Sequence, residues 1–411
     1  MGAYKMNESI VARQPILDRE KNTVAYELLY RSKNNKGVID GSQATAEVII
    51  NSFNDIGISN LTSGKPAFIN FTSRLIKAGI SEILPQKKIG IEILEDIEID
   101  QHLIESSQKI KASGHIILLD DFVYKNELIP LIEIADIIKI DFLETKGVQR
   151  KNIIEYIKAK HNSKVKFLAE KIENHKDFKN AYEYGYDYFQ GYFFKKPNIF
   201  INRKIPSYKF TYLKVINELN NSTPDLKSIA EIIKKDSSMT YSLLRTINAA
   251  AFGYDVSNIS QAVALLGTKR LKKWALLNLI KGLSSNKPDA LFINTLTRGK
   301  MAELIGEKIG RNNIEKYYMT GMLSLLDAYM DREMSNIVED ISLSKEMKEA
   351  LIYQKGIIGS VLKTINYLEN AEWDKLSKEC IKNNLCEEDI LNIFVLSVEY
   401  ANKTAETMEN I

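Results

Sequence analysis

Cysteine is nearly missing from this 411-residue chain: Cys380 and Cys386 are the only two. Neither lies in a C-x-x-C pair, which argues against a disulfide framework or thiolate metal site and favours a reducing compartment, the cytoplasm. Histidine is scarce too. The four (His102, His115, His161 and His175) all precede residue 200. There is little charge of either sign in excess: 56 Lys+Arg face 53 Asp+Glu, a net charge of +3. With no run of five like charges, nucleic-acid binding has no support. No apolar run approaches the roughly 18 residues that a membrane span needs, so no membrane partner is expected. The opening MGAYKMNESI lacks the apolar stretch of a signal peptide, and Met6 stands where a myristoylation motif wants Ser or Thr. Low-complexity tracts and short-period repeats are absent as well.

What is present divides near residue 200. The length exceeds the roughly 250–300 residues at which single cores stop growing, so two domains are expected, 1–200 and 201–400. In the first, short β-branched runs (SIVARQPI, TVAYELLYR, AFINF, IGIEIL, HIILLD, IIKID, VKFLAE, DYFQG) alternate with helical patterns such as HLIESSQKIKASG. So many strand–helix units in about 200 residues predict a (β/α) barrel of the TIM type rather than an open sheet. The first two runs, joined by DREKN, predict an antiparallel hairpin that a regular barrel lacks. After PNIFINRKIPS only helical periodicity continues, which places the boundary between Pro197 and Ser207.

The stretch AYELLYR sets an acid, Glu27, inside an otherwise apolar strand, and Glu27 is one of a series. Toward the C-terminal end of each predicted strand stand Glu27, Asn70, Glu92, Asp120 with Asp121, Lys139, Glu170 and Gln190. Barrel strands converge at that end, so these groups are expected in one bowl. Five carboxylates there repel and raise one another's pKa unless cations neutralise them. An all-oxygen set with one amide suits Mg²⁺ or Mn²⁺, and two such ions suit phosphodiester hydrolysis. Any one of these residues taken alone reads as a helix cap or surface charge; the ordered set carries the inference.

The motifs QPI (14–16), ELLYR (27–31), INF, IEILE (91–95), DDF (120–122), IKID, AEKIE (169–173) and QGYFFKKP (190–197) together resemble the EAL domain, which handles cyclic di-GMP. That resemblance implies one metal on Glu27, Asn70, Glu92 and Asp120 and a second on Asp120, Asp121 and Glu170. It implies catalytic roles for Lys139, which orients or polarises the hydrolytic water, for Glu170, and for Gln190 as support. It puts Gln14 and Arg31 on the dinucleotide; a guanidinium fork can grip a phosphate bidentately. Two departures stand out. The signature E-A-L is E-L-L here, and VYKNELIP follows DDF where the family has a Gly- and Ser-rich loop. In the family that loop, anchored by the residue corresponding to Glu95, helps place the second metal and couples to dimerisation, so a homodimer is a candidate assembly.

In the second half LLRTINAAAFG and QAVALLGTKRLKKWALLNLI resemble the HDOD domain, an all-helical relative of the HD phosphohydrolases without their chemistry. The missing histidines agree with that. At GMLSLLDAYM, where an HD enzyme shows His-Asp, this chain has Leu326 and Asp327, and Asp327 reads as a capping or solvent-facing residue. Asn248 and Gly253 read as helix-ending positions, and Trp274 as core or partner surface. The fold class expected is therefore a modified (β/α)8-type barrel with an antiparallel first hairpin, followed by an all-helical HDOD bundle. Two functions follow from the resemblance. One is a phosphodiesterase giving linear pGpG with two Mg²⁺ or Mn²⁺ ions, coupled to an HDOD output or regulatory domain. The other is a degenerate EAL domain that senses the nucleotide or scaffolds a protein, with an unknown protein partner on the HDOD half. The complete ligand set favours the first, and the altered loop the second.

Overall fold

A computed structural model describes residues 9–32, 58–79, 84–85, 88–94, 97–196, 207–248 and 256–409. Strands β1 (Ser9–Leu17) and β2 (Thr23–Ser32) form the antiparallel hairpin, turned by Asp18, whose Oδ1 accepts the Asn22 N–H at 2.8 Å. Then come β3 (Ala67–Phe71), β4 (Ile89–Ile93), β5 (Ile116–Leu119), β6 (Ile137–Asp141), β7 (Lys166–Glu170) and β8 (Tyr188–Phe189). From β2 onward each strand pairs in parallel with the next, and β8 meets β1 antiparallel at Leu17 and Phe189 to close the barrel. Strands β4 and β6 are buried at every position. That is why IGIEI and IIKID read as continuous runs: parallel strands covered on both faces need no polar side. The helices Gln101–Ala112 and His175–Tyr184 start at Asp100 and Asn174, whose side chains accept the Leu103 and Asp177 N–H groups.

The barrel interior is layered. Ile16, Ala25, Phe68, Leu118, Ile137 and Leu168 form one apolar cluster, with Tyr188 packed against it. Side chains on a strand repeat their direction every second residue, so the next inward position along β2, β3, β5, β6, β7 and β8 is Glu27, Asn70, Asp120, Lys139, Glu170 and Gln190. On the reversed strand β1 the same step runs backward, from Ile16 to Gln14. In β4 the floor position below Glu92 is Gly90. A Cβ there would lie 2.4 Å from Phe68 Cδ1 and 2.8 Å from Leu118 Cδ1, so the two neighbours fill the space that a side chain would take.

The described residues fall into two compact units. One runs from β1 to Phe194 and includes Tyr367–Lys378 and Cys386–Val395; the other comprises Lys195–Asn366, Glu379–Leu385 and Leu396–Ile411. The expected junction, residues 197–206, lies outside the described residues. From Ser207 onward the described residues hold helices and turns and no strand. Asp225 and Asp236 cap the starts of Leu226–Lys234 and Ser237–Ile247. The stretch Ile259–Leu283 is two helices meeting at Gly267, whose φ of 66° and ψ of 170° break the helical path. Asn248 ends its helix and clasps Val256, accepting its N–H and donating to its carbonyl, both at 2.8 Å. Gly253 lies outside the described residues. Trp274 is core, packed against Tyr212.

Asp327 neither caps nor faces solvent freely: it lies in the first turn of Leu326–Met330, whose N-cap is Leu325, accepts the Ala328 N–H at 2.8 Å, and burial pushes its carboxyl up to about 6. Its folded pKa thus exceeds the unfolded value, so the fold favours the protonated form and gains stability as pH falls from about 7 toward about 4. Asp327→Asn keeps the acceptor and removes the titration. At about pH 8 it should stabilise the helical unit by on the order of 1–3 kcal/mol and flatten that pH dependence. Urea unfolding of the full chain, followed by Trp274 fluorescence in a Trp373→Phe background, measures both. In the barrel, Gly90→Ala should cost about 1–3 kcal/mol by overpacking the floor; an unchanged denaturation midpoint would contradict the layer described above.

Candidate functional site

The inward positions above the apolar floor converge on one ammonium. Lys139 Nζ, fully buried, lies 2.7 Å from Asp120 Oδ1, 2.8 Å from Glu170 Oε1, 3.0 Å from Glu92 Oε1 and 3.5 Å from Glu27 Oε1. Burial alone would pull its pKa down, but Glu170, Glu27, Glu92 and Asp120 outweigh that and hold it well above the usual lysine value. One ammonium cannot neutralise four acids. Burial, reinforced by the neighbouring carboxylates, therefore raises Glu92 and Glu170 above the ordinary range despite Lys139. The Glu92 contact is an ion pair without hydrogen-bond geometry. Its Oε1, like Glu170 Oε2, is a buried oxygen with no hydrogen-bond donor.

Register explains why these groups meet. Gln14 pairs with Glu27 across the hairpin, and Asn70 with Glu92 across β3 and β4. Gln190 donates through Nε2 to Glu27 Oε2 and, at 3.0 Å, to Gln14 Oε1; Gln14 Nε2 in turn donates to the Tyr192 hydroxyl at 3.1 Å. Asn70 faces Asp120 and Glu92. With its amide nitrogen toward them it donates at 3.2 and 3.0 Å; the other orientation turns its oxygen to the same point, where only a cation would welcome it. The residues open onto a cavity of about 480 Å³.

Asp121 sits at the edge of the bowl. Its φ of 40° and the φ of 53° at Lys171 place both residues in the left-handed region, each just after a strand-end acid, Asp120 or Glu170. The two turns bring Lys171 Nζ to 3.3 Å from Asp121 Oδ1 and into an ion pair with Asp141, the buried last residue of β6. Gly191, at φ 143°, lets the chain after Gln190 pass the Ile172 backbone, where a Cβ would come within 2.2 Å of the carbonyl oxygen. Loop residue Val123 is exposed, and the chain after DDF winds through a short 3-10 turn, Asn126–Leu128, into the helix Ile129–Ile134.

Glu27, Asn70, Glu92, Asp120, Lys139, Glu170, Gln190 and Gln14 are thus together, with Asp121 beside them. Arg31 belongs to β2, but its side chain lies outside the described residues, as does Glu95. Sequence reasoning gave no role to Lys171, Asp141 or Tyr192. The first and last lie inside the motifs AEKIE and QGYFFKKP and Asp141 closes IKID, so the signal was present without a pattern to interpret it.

Could these residues hold cations? One oxygen each from Glu27, Glu92 and Asp120 lie within 4.8 Å of one another, and so do oxygens of Asp120, Asp121 and Glu170. Asp120 belongs to both groups. The orphaned carboxylate oxygens, the Asn70 amide beside Glu92 and Asp120, and the oxygen donors of the acids all fit hard divalent ions.

Family models match both halves of the chain: an EAL domain matches residues 43–197 and an HDOD domain residues 205–362. The protein YuxH of Bacillus subtilis strain 168 is 35% identical over 403 residues, covering 95% of this chain and 97% of its own. This chain belongs to the EAL–HDOD family. The cyclic di-GMP phosphodiesterase CdgJ of Vibrio cholerae matches the EAL–HDOD chain at 28% identity over 393 residues, 94% of this chain and 90% of that one. An EAL domain protein from Listeria monocytogenes of known structure is 22% identical, covering 47% of this chain and 89% of its own, with a TM-score of 0.36. Among the described residues of the EAL–HDOD chain, no helix is long and apolar enough to cross a membrane.

Removing the central cation tests the electrostatics. In metal-free buffer at about pH 8, Lys139→Met should cost about 3–5 kcal/mol, because it leaves buried carboxylates uncompensated. Since Glu92 and Glu170 titrate above their ordinary range, the fold favours their protonated forms, and the loss should shrink as pH falls toward about 5. Chemical denaturation at both pH values measures this; equal losses would mean that the missing charge is not the cause.

Proposed function

We propose that the barrel hydrolyses cyclic di-GMP to linear pGpG, and that the helical unit acts as output or regulatory module toward a protein partner. The observation that carries this is the complete acid set around Lys139 in one bowl, in a chain aligned nearly end to end with a cyclic di-GMP phosphodiesterase. In this reading Glu27, Asn70, Glu92 and Asp120 hold one Mg²⁺ or Mn²⁺, and Asp120, Asp121 and Glu170 a second. Ions bound there would supply an activated water and neutralise charge on the attacking and leaving oxygens. Lys139, which the four acids hold protonated in the ion-free bowl, orients or polarises the hydrolytic water in this reading. Gln190 holds Glu27 in place and ties it to Gln14. Gln14 and Arg31 bind the dinucleotide, and Glu95 anchors the loop after DDF.

A second reading has a specific observation behind it. Lys171 already engages Asp121, and the segment from Val123 lacks the glycine and serine of the family loop, so the second ion's place is contested. A barrel in that state would bind the nucleotide and not turn it over.

Purified full-length protein with cyclic di-GMP and Mn²⁺ or Mg²⁺, its products separated by chromatography, decides between the two. Turnover should yield pGpG. Asp120→Asn should lower the rate by more than the roughly 10–100-fold typical of outer-shell changes and abolish calorimetric Mn²⁺ binding at both positions. Nucleotide binding without any product, unrestored by Lys171→Ala, would leave the sensor reading standing and sink the enzyme.

A further inference from the structure

The helical unit holds a cavity of about 560 Å³ that the reading above does not use. Its walls come from four helices: Ser207–Leu219, Ser237–Ile247, the second half of Ile259–Leu283, and the C-terminal end of Glu387–Glu409. The volume falls in the range of small-molecule sites, roughly 300–1,000 Å³. Its chemistry is one-sided. Arg245, Lys281 and Lys403 reach it from three different helices, and no acidic residue lines it. Lys403 forms no ion pair among the described residues.

The apolar lining is aromatic. Tyr212 and Trp274 lie 5.9 Å apart between ring centroids, and Tyr241, with the Arg245 guanidinium 6.0 Å from its ring, is 65% exposed although it borders a cavity that could cover it. Trp274 contributes the face of its ring. It is 6% exposed, yet its indole Nε1–H has no acceptor, although the neighbouring polar groups are satisfied: Ser242 pairs with Asn278 at 3.0 Å, and Asn278 donates to the Trp274 carbonyl at 2.9 Å. That nitrogen is itself buried, so a ligand in the cavity would meet the indole ring and not its N–H.

We propose that this cavity binds a nucleoside phosphate: the base stacks on Tyr241 and the Tyr212–Trp274 wall, and the phosphate meets Arg245, Lys281 and Lys403. Planar rings and an anion on one small molecule match what the walls offer, whereas a carboxylate or an apolar ligand would leave one half unused. The site is separate from the barrel and does not depend on its activity.

Trp274 is its own reporter. In the full chain carrying Trp373→Phe, AMP should change Trp274 fluorescence saturably, and adenosine or inorganic phosphate alone should bind at least about tenfold more weakly. Lys403→Glu and Tyr241→Ala, with circular dichroism confirming the helices, should each weaken AMP by about tenfold or more, while Asp120→Asn in the barrel should leave it unchanged. No saturable response at millimolar AMP would overturn the proposal. So would adenosine binding as tightly as AMP, indifference to Lys403→Glu, or loss of binding in Asp120→Asn.

Discussion

Everything at the open end of the barrel depends on the ion pairs of Lys139. A buried ammonium and four buried carboxylates are each expensive to remove from water, and together they persist only because the strands fix them within hydrogen-bonding distance. The compensation is incomplete, which is why Glu92 and Glu170 hold protons more tightly than ordinary acids. A site with excess negative charge and orphaned oxygens is short of cations. That shortage links the electrostatics of the fold to the chemistry proposed for it.

The floor makes this charge density tolerable. Ile16, Ala25, Phe68, Leu118, Ile137 and Leu168 seal the barrel beneath the acids, so water reaches them only from the open side. Floor and site are written in the same strands one step apart, and Gly90 marks the place where two large floor residues leave no room for a third. Packing and chemistry are thereby coupled: a displaced floor residue moves the carboxylate directly above it.

Much of this was legible before any coordinates. Period-two apolar runs ending in Glu27, Asn70, Glu92, Asp120, Lys139, Glu170 and Gln190 define both barrel and bowl, because strand alternation leaves no freedom about which face a side chain takes. The antiparallel hairpin was visible in the polar DREKN between two apolar runs. Hidden were features set by turns rather than strands. Lys171 meets Asp121 and Asp141 only because two non-glycine residues adopt left-handed backbone, which no residue pattern announces. Asp327 reads as a capping or solvent-facing residue, since its burial depends on helices remote in sequence. The helical cavity was invisible for a similar reason: periodicity identifies Trp274 as core, but says nothing about whether its ring lines a cavity.

The register that builds the bowl also sets when it can exist. Its members come from all eight strands, and Gln14 and Gln190 touch across 176 positions of chain. No hairpin or single strand–helix unit contains even a rudimentary version of it. Contacts of such long range form late, after loop-closure entropy has been overcome. As the chain emerges from the ribosome, Glu27, Glu92 and Asp120 must therefore wait, solvated and mutually repelling, until Lys139 is made, and β1 stays an open edge until β8 arrives. For most of its synthesis the barrel is an unfinished sheet with an exposed seam, the state in which pairing with another chain is the chief hazard.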